Sequence, residues 1–168
     1  NDPRAERKKD YIGIQKELAL LQRYANLAKG ITSNAKGDNL LTALQQGFKK
    51  ITELGGQKKA VIFTESKRTQ DYLFNLLSHN GYEGKIVFLN GVNNDNISKE
   101  IYSRWKKRHA NDGTISGSRT ADIKAAIVEE FKNEASILIG TEAASEGINL
   151  QFCSIIVNYD LPWNPQRI

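Results

Sequence analysis

One cysteine, two histidines and no methionine occur in 168 residues, and each scarcity removes a class of chemistry. Cys153 alone cannot build an internal disulfide framework, and with the isolated His79 and His109 it offers no metal-ligand spacing. A reducing compartment fits such a chain. No apolar run approaches the roughly 18 residues of a membrane-spanning helix, and the opening Asn1-Asp-Pro-Arg has no signal-peptide character, so a soluble, cytosolic protein is expected. Methionine is missing even at position 1, and the closing Pro165-Gln-Arg-Ile168 reads as the beginning of a helix. The expectation is a piece excised from a longer chain.

Charge is modest and nucleotide-binding signatures are missing. Lys and Arg outnumber Asp and Glu by 24 to 19, a net +5 that is compatible with a polyanion partner and decides little. Gly84-Lys85 lacks the loop length and the following Ser or Thr of a phosphate-binding P-loop, and no other segment matches that motif. No Gly-x-Gly-x-x-Gly follows the first strand, which argues against a Rossmann-type enzyme. The chain has no visible means of gripping a nucleoside triphosphate by itself.

What is present reads as one α/β domain with appendages, given 39% hydrophobic residues in a chain of this length. Ile14, Leu18, Leu21, Ala25 and Ala28 recur at helical spacing, with Gly30 as a stop. A second helix is predicted from a cap at Asp38, with Leu41, Leu44, Phe48 and Ile51 on one face and Gly55-Gly56 closing it. The pattern is too short for a sustained heptad array, so packing on a globular neighbour is favoured over a coiled coil or partner-binding element. Ala60-Val-Ile-Phe-Thr64 predicts a strand, followed by a helix capped at Ser66 that carries Leu73, Leu76 and Leu77 and stops at Asn80-Gly81. Lys85-Ile-Val-Phe-Leu89 repeats the strand signal, and a further helix from about Thr120 turns Ile123, Ile127, Val128 and Phe131 inward. Alternating strands and helices imply a parallel sheet with right-handed crossovers.

The pattern is interrupted at about 93–118 by an inserted helix and a loop. Ile97, Ile101 and Trp105 fall at four-residue spacing, which predicts that Trp105 packs inward and leaves Lys106, Lys107 and Arg108 to face water or a phosphate backbone. The organising stretch comes later. Ile137-Leu-Ile139 stops at Gly140-Thr141 and gives way to a polar loop as far as Gly147, and Ile155-Ile-Val157 likewise ends in a polar loop, Asn158-Tyr-Asp-Leu-Pro-Trp-Asn-Pro165. Two strands thus bring two loops to one edge of an open sheet, where ligands gather.

Read together, Ala60-Val-Ile-Phe-Thr-Glu65, Leu89-Asn-Gly91, Ile139-Gly-Thr-Glu-Ala-Ala-Ser-Glu-Gly-Ile-Asn-Leu150 and Val157-Asn-Tyr-Asp-Leu-Pro-Trp-Asn-Pro165 resemble the second motor lobe of superfamily-two helicases, and within it the Swi/Snf-like branch that includes bacterial RapA. The resemblance covers about residues 58–168. It implies a RecA-like α/β fold at 57–168, cut short at its C-terminal end, behind a helical extension at 1–56. It also implies ATP and Mg as cofactors, double-stranded DNA as partner, and a first lobe of the same parent chain carrying the Walker motifs.

By residue-to-residue match, the resemblance puts Thr64, Ser66, Asn90, Gly91 and Thr141 against the nucleic-acid backbone. Gly147 and Asn149 match positions that link that path to the nucleotide cleft. Glu146 departs from the arginine that many RNA helicases of the superfamily carry there, which weakens an RNA-helicase reading. The motif that supplies arginine fingers in the family would come after Ile168, so no catalytic residue is expected in this chain. The competing expectation is a non-catalytic nucleic-acid or protein-docking module that keeps the fold alone.

Overall fold

The structure, a computed structural model, describes residues 13–24, 26, 34–141 and 147–160. The predicted Ala25, Ala28 and Gly30 positions, Glu146 and the Leu161–Pro165 segment lie outside them. The chain divides into two compact units, Asn1–Asp38 and Asn39–Ile168. In the first, residues 13–24 are helical (α1).

Helix α2 spans Ala35–Glu53 and begins about one turn before the expected cap at Asp38. The reason is Asn34, whose side-chain oxygen accepts the Lys36 N–H while its carbonyl accepts that of Asp38. Leu40, Leu44 and Phe48 of α2 are buried in the core of the second unit. The compact-unit boundary therefore falls within α2, whereas the boundary read from sequence falls after it, at residue 56.

Four short parallel strands follow: β1 Ala60–Phe63, β2 Ile86–Leu89, β3 Ile137–Gly140 and β4 Ile155–Asn158, in the order β2-β3-β1-β4. Between them come α3 Lys67–Leu77, α4 Asn96–Arg108 and α5 Arg119–Asn133. Each of the first three strands is almost wholly buried, as continuous β-branched and aromatic runs require in a sheet covered on both faces. Side chains alternate between two cores. Ala60, Ile62, Ile86, Phe88, Ile137 and Ile139 pack with α2 and α3, and Val61, Val87, Leu89 and Leu138 pack with α4 and α5. This three-layer arrangement is a RecA-like α/β fold.

Local sequence explains most boundaries. Ser66 takes the N-cap position of α3 but makes no side-chain cap bond, while Asp95 caps α4 by accepting from the Ser98 N–H at 2.8 Å. Helix α3 ends in a wider turn at Ser78–Tyr82, where Gly81 adopts φ +92. At the C-terminal end of α5, the buried Lys59 donates to the carbonyls of Phe131 and Ala135 at 2.8 and 2.6 Å. Burial pushes the Lys59 ammonium below its ordinary pKa. Trp105 is buried as its spacing predicts, and its Nε1 donates to Glu129 at 2.9 Å. Val128, predicted to face inward, is only half-buried. No described helix is long and apolar enough to cross a membrane.

Candidate functional site

The parallel register carries the C-terminal ends of all four strands to one edge. There the segments after β1, β2 and β3 surround a groove of about 450 Å³, lined by Glu65, Lys67, Gln70, Asn90, Gly91, Thr141 and the start of α4. Three of the residues singled out in the sequence, Asn90, Gly91 and Thr141, meet in this groove. Thr141 is held in place by its N–H, which donates to the Leu89 carbonyl at 3.1 Å. Gly140 permits that closeness, because a Cβ there would stand 2.9 Å from the same carbonyl oxygen.

The loop after β2 is fixed by a reciprocal pair of asparagines. Asn90 N–H donates to Asn93 Oδ1 at 2.7 Å, and Asn90 Oδ1 accepts from the N–H groups of Asn93 and Val92 at 2.6 and 3.1 Å. Asn93 adopts φ +45, a conformation that asparagine tolerates better than most residues. Side-chain amides thus replace the missing backbone ladder and hold Gly91 exposed at the lip.

Electrostatically the two helix starts differ. The first turn of α3 has no acidic residue and no side-chain cap, and it carries Lys67 and Arg68. The partial positive charge of this helix start therefore adds to Lys67 at the groove, where Glu65 and Asp95 also stand. At α4, the Asp95 carboxylate already takes both the N–H and the hydroxyl of Ser98.

The other predicted residues do not line this groove. Thr64 is buried, and its hydroxyl donates to Asp160 at the end of β4 instead of lining the groove. Ser66 lies beside it, its N–H on the Thr64 hydroxyl at 3.4 Å. Gly147, at φ +76, borders a separate apolar groove of about 510 Å³ along α5 with Ala121, Ala125, Val128 and Ile148. Asn149 closes a local turn by accepting the Gln151 N–H at 3.0 Å. Lys106, Lys107 and Arg108 form the last turn of α4, about 20 Å of helix away from the groove. Arg108 pairs with Glu129 of α5 at 3.2 Å, and Lys106 lies over the Tyr102 ring at 5.6 Å. The structure does not bring these three cations to the strand-end groove.

Sequence reasoning missed Lys67 and Gln70. The signal was their i, i+3 spacing in the first turn after β1, which sets both on one helical face at the strand end. Among the described residues there is no cluster of three His, Cys, Asp or Glu side chains that could hold a metal ion. The described residues therefore offer no set of side chains that would by itself hold Mg.

A parallel sheet covered on both faces, with a polar groove at its strand ends, defines an α/β lobe, and a family comparison says which one. The helicase conserved C-terminal domain matches residues 71–168, and the chain belongs to that family. It is 37% identical over 110 residues to the uncharacterized ATP-dependent helicase YqhH of Bacillus subtilis (strain 168), covering 66% of this chain and 15% of that protein. It is 25% identical over 100 residues to the ATP-dependent RNA helicase DeaD of Buchnera aphidicola and 24% identical to that of Escherichia coli (strain K12). Each of these matches covers 59% of this chain, and 16% and 15% of the respective relatives. The chain therefore spans only about one sixth of the length of these relatives.

Proposed function

We propose that this chain is the second motor lobe of an ATP-dependent translocase of the Swi/Snf-like branch, acting in the cytoplasm on double-stranded DNA. The observation that carries the reading is the groove where Asn90, Gly91 and Thr141 converge beside the open start of α3. Hydroxyls, backbone amides and a helix N-terminus can hold phosphates without reading bases, as a motor that steps along any sequence requires. Phosphate gripping and Mg coordination fall to a first lobe, and Gly147 and Asn149 form part of the wall that faces it. Closure of the two lobes on ATP then displaces the strand-end groove along the duplex. ATP supplies the free energy of that closure.

Phosphate release by the intact protein, measured with duplex DNA, with RNA and with neither, tests the proposal. Stimulation by duplex DNA, reduced at least tenfold by Thr141→Ala, is expected. No stimulation by any nucleic acid would leave the docking-module reading in its place. A second reading is favoured by the DeaD relatives, which are named as RNA helicases: stimulation by RNA alone would move the lobe to that substrate.

A further inference from the structure

Gln70 lies in the first turn of α3, is 3% exposed and lines the strand-end groove. Its side-chain nitrogen is fully buried and has no hydrogen-bond partner among the described residues. A buried amide donor left unpaired carries a desolvation penalty, and folded proteins rarely retain one without a use. Its surroundings point to the acceptor it lacks. The α3 start beside it is uncapped and has no acidic residue in its first turn, whereas Lys67 occupies the same groove one turn earlier. The groove also holds the carboxylates of Glu65 and of Asp95, the latter already taken by Ser98, so the uncapped α3 start with Lys67 and Gln70 is the end of the groove that suits an anionic oxygen.

We propose that the Gln70 side-chain amide donates to a phosphodiester oxygen of a nucleic-acid strand lying across the ends of β1, β3 and β2. The proposal rests on the nucleic-acid reading of the groove and adds to it a neutral donor that fixes the position of one phosphate. Lys67 attracts the strand by charge. Gln70, which displaces no counterion, sets its register.

That division gives two signatures that a packing role for Gln70 does not share. Replacing the amide by an apolar side chain of similar length removes an unpaired buried donor, so Gln70→Met raises the melting temperature of the free protein. It also weakens binding roughly tenfold, the loss of one hydrogen bond to a charged acceptor, while the slope of log affinity against log salt stays as in the unaltered protein. Lys67→Ala, by contrast, lowers that slope by about 0.7–0.9.

The test uses the intact protein and fluorescein-labelled mixed-sequence oligonucleotides, as duplex DNA and as single-stranded RNA, titrated at several salt concentrations, with thermal melts of each variant. A higher melting temperature with weaker binding and an unchanged slope is the expected result. Unchanged affinity in Gln70→Met, or a fall in melting temperature that accompanies the weaker binding, overturns the proposal. A loss confined to RNA overturns the phosphate assignment and moves the acceptor to the 2′-hydroxyl. If the unaltered protein binds neither probe, the reading of the groove itself fails, and Gln70 with it. Gln70→Glu checks the sign of the charge, since a carboxylate at this place repels phosphate and binds more weakly than Gln70→Met.

Discussion

Thr64 donates its hydroxyl to the carboxylate of Asp160, joining the end of β1 to the end of β4 across 96 residues of sequence. The same oxygen accepts the Ser66 N–H, so the start of α3 and the segment after β4 are tied to one side chain. Thr64→Val keeps the volume and removes the hydroxyl. A loss of about 1–2 kcal/mol in urea denaturation is expected, with Thr64→Ser losing less than half of that. Equal stability of Thr64→Val and the unaltered chain would show that the bond contributes nothing.

Gly140 and Gly47 provide a paired test of close approach. A Cβ on Gly140 would meet the backbone oxygen of Leu89 at 2.9 Å, and a neighbouring strand cannot step aside. A Cβ on Gly47 would meet the far end of the Ile155 side chain at 2.7 Å, which can swing away. Gly140→Ala should therefore cost about 1–3 kcal/mol and Gly47→Ala distinctly less. Because Thr141 hangs on the same Leu89 carbonyl, Gly140→Ala should also weaken nucleic-acid binding. Denaturation midpoints and one titration check both statements.

At the end of α4, His109 bonds Asp112 through Nδ1 and Glu129 through Nε2, and only the imidazolium can donate from both nitrogens. The bond to Asp112, aided by that to Glu129, raises the His109 pKa above its usual 6.5. The stabilisation is present in full below about pH 6.5 and is lost as pH rises through the raised value. Asp112 behaves oppositely. The Thr114 N–H and then His109 hold its carboxyl at about 2, so its contribution is present above about pH 4 and fades as pH falls toward that value. His109→Asn should be less stable than the unaltered chain at about pH 5.5 and should match it at about pH 9. Urea midpoints at the two pH values decide the point, and a difference that grows with pH would reverse the assignment.

Changing Lys106, Lys107 and Arg108 together to alanine should leave both affinity and salt slope for duplex DNA unaltered. These residues end a helix whose other end borders the groove, and Arg108 already has a carboxylate partner in Glu129. A fall in slope of about 0.9 for each residue would instead carry the DNA path across α4.

The strands were legible because Ala60–Phe63, Ile86–Leu89 and Ile137–Gly140 are unbroken apolar runs that end at polar or small residues. The Trp105 anchor followed from four-residue spacing and a parallel α/β sheet from the order of strands and helices, while the RecA-like class came only with the family resemblance. Pairing partners were not legible, since nothing in the local pattern of β1 says that its neighbours are β3 and β4. The fate of Thr64 was hidden for the same reason: its acceptor lies 96 residues away. Gln70 was hidden differently, because a glutamine on a helix reads as solvent-facing until the groove beside it is known.

The strand order also governs how this lobe is made. Strand β1 lies between β3 and β4, and Ala60 meets its first partner only at Ile137. At about 5–20 residues per second of synthesis, β1 waits roughly 4–15 seconds with both edges unpaired. Contacts so distant in sequence also slow folding once the chain is complete. Through that interval the run Ala60–Phe63 is guarded by its flanks, Lys58 and Lys59 before it and Glu65, Lys67 and Arg68 after it. Such charges discourage pairing with a second nascent chain. Lys59 and Lys67 therefore serve twice, first as guards of an orphan strand and later as the clasp on α5 and the cation of the groove.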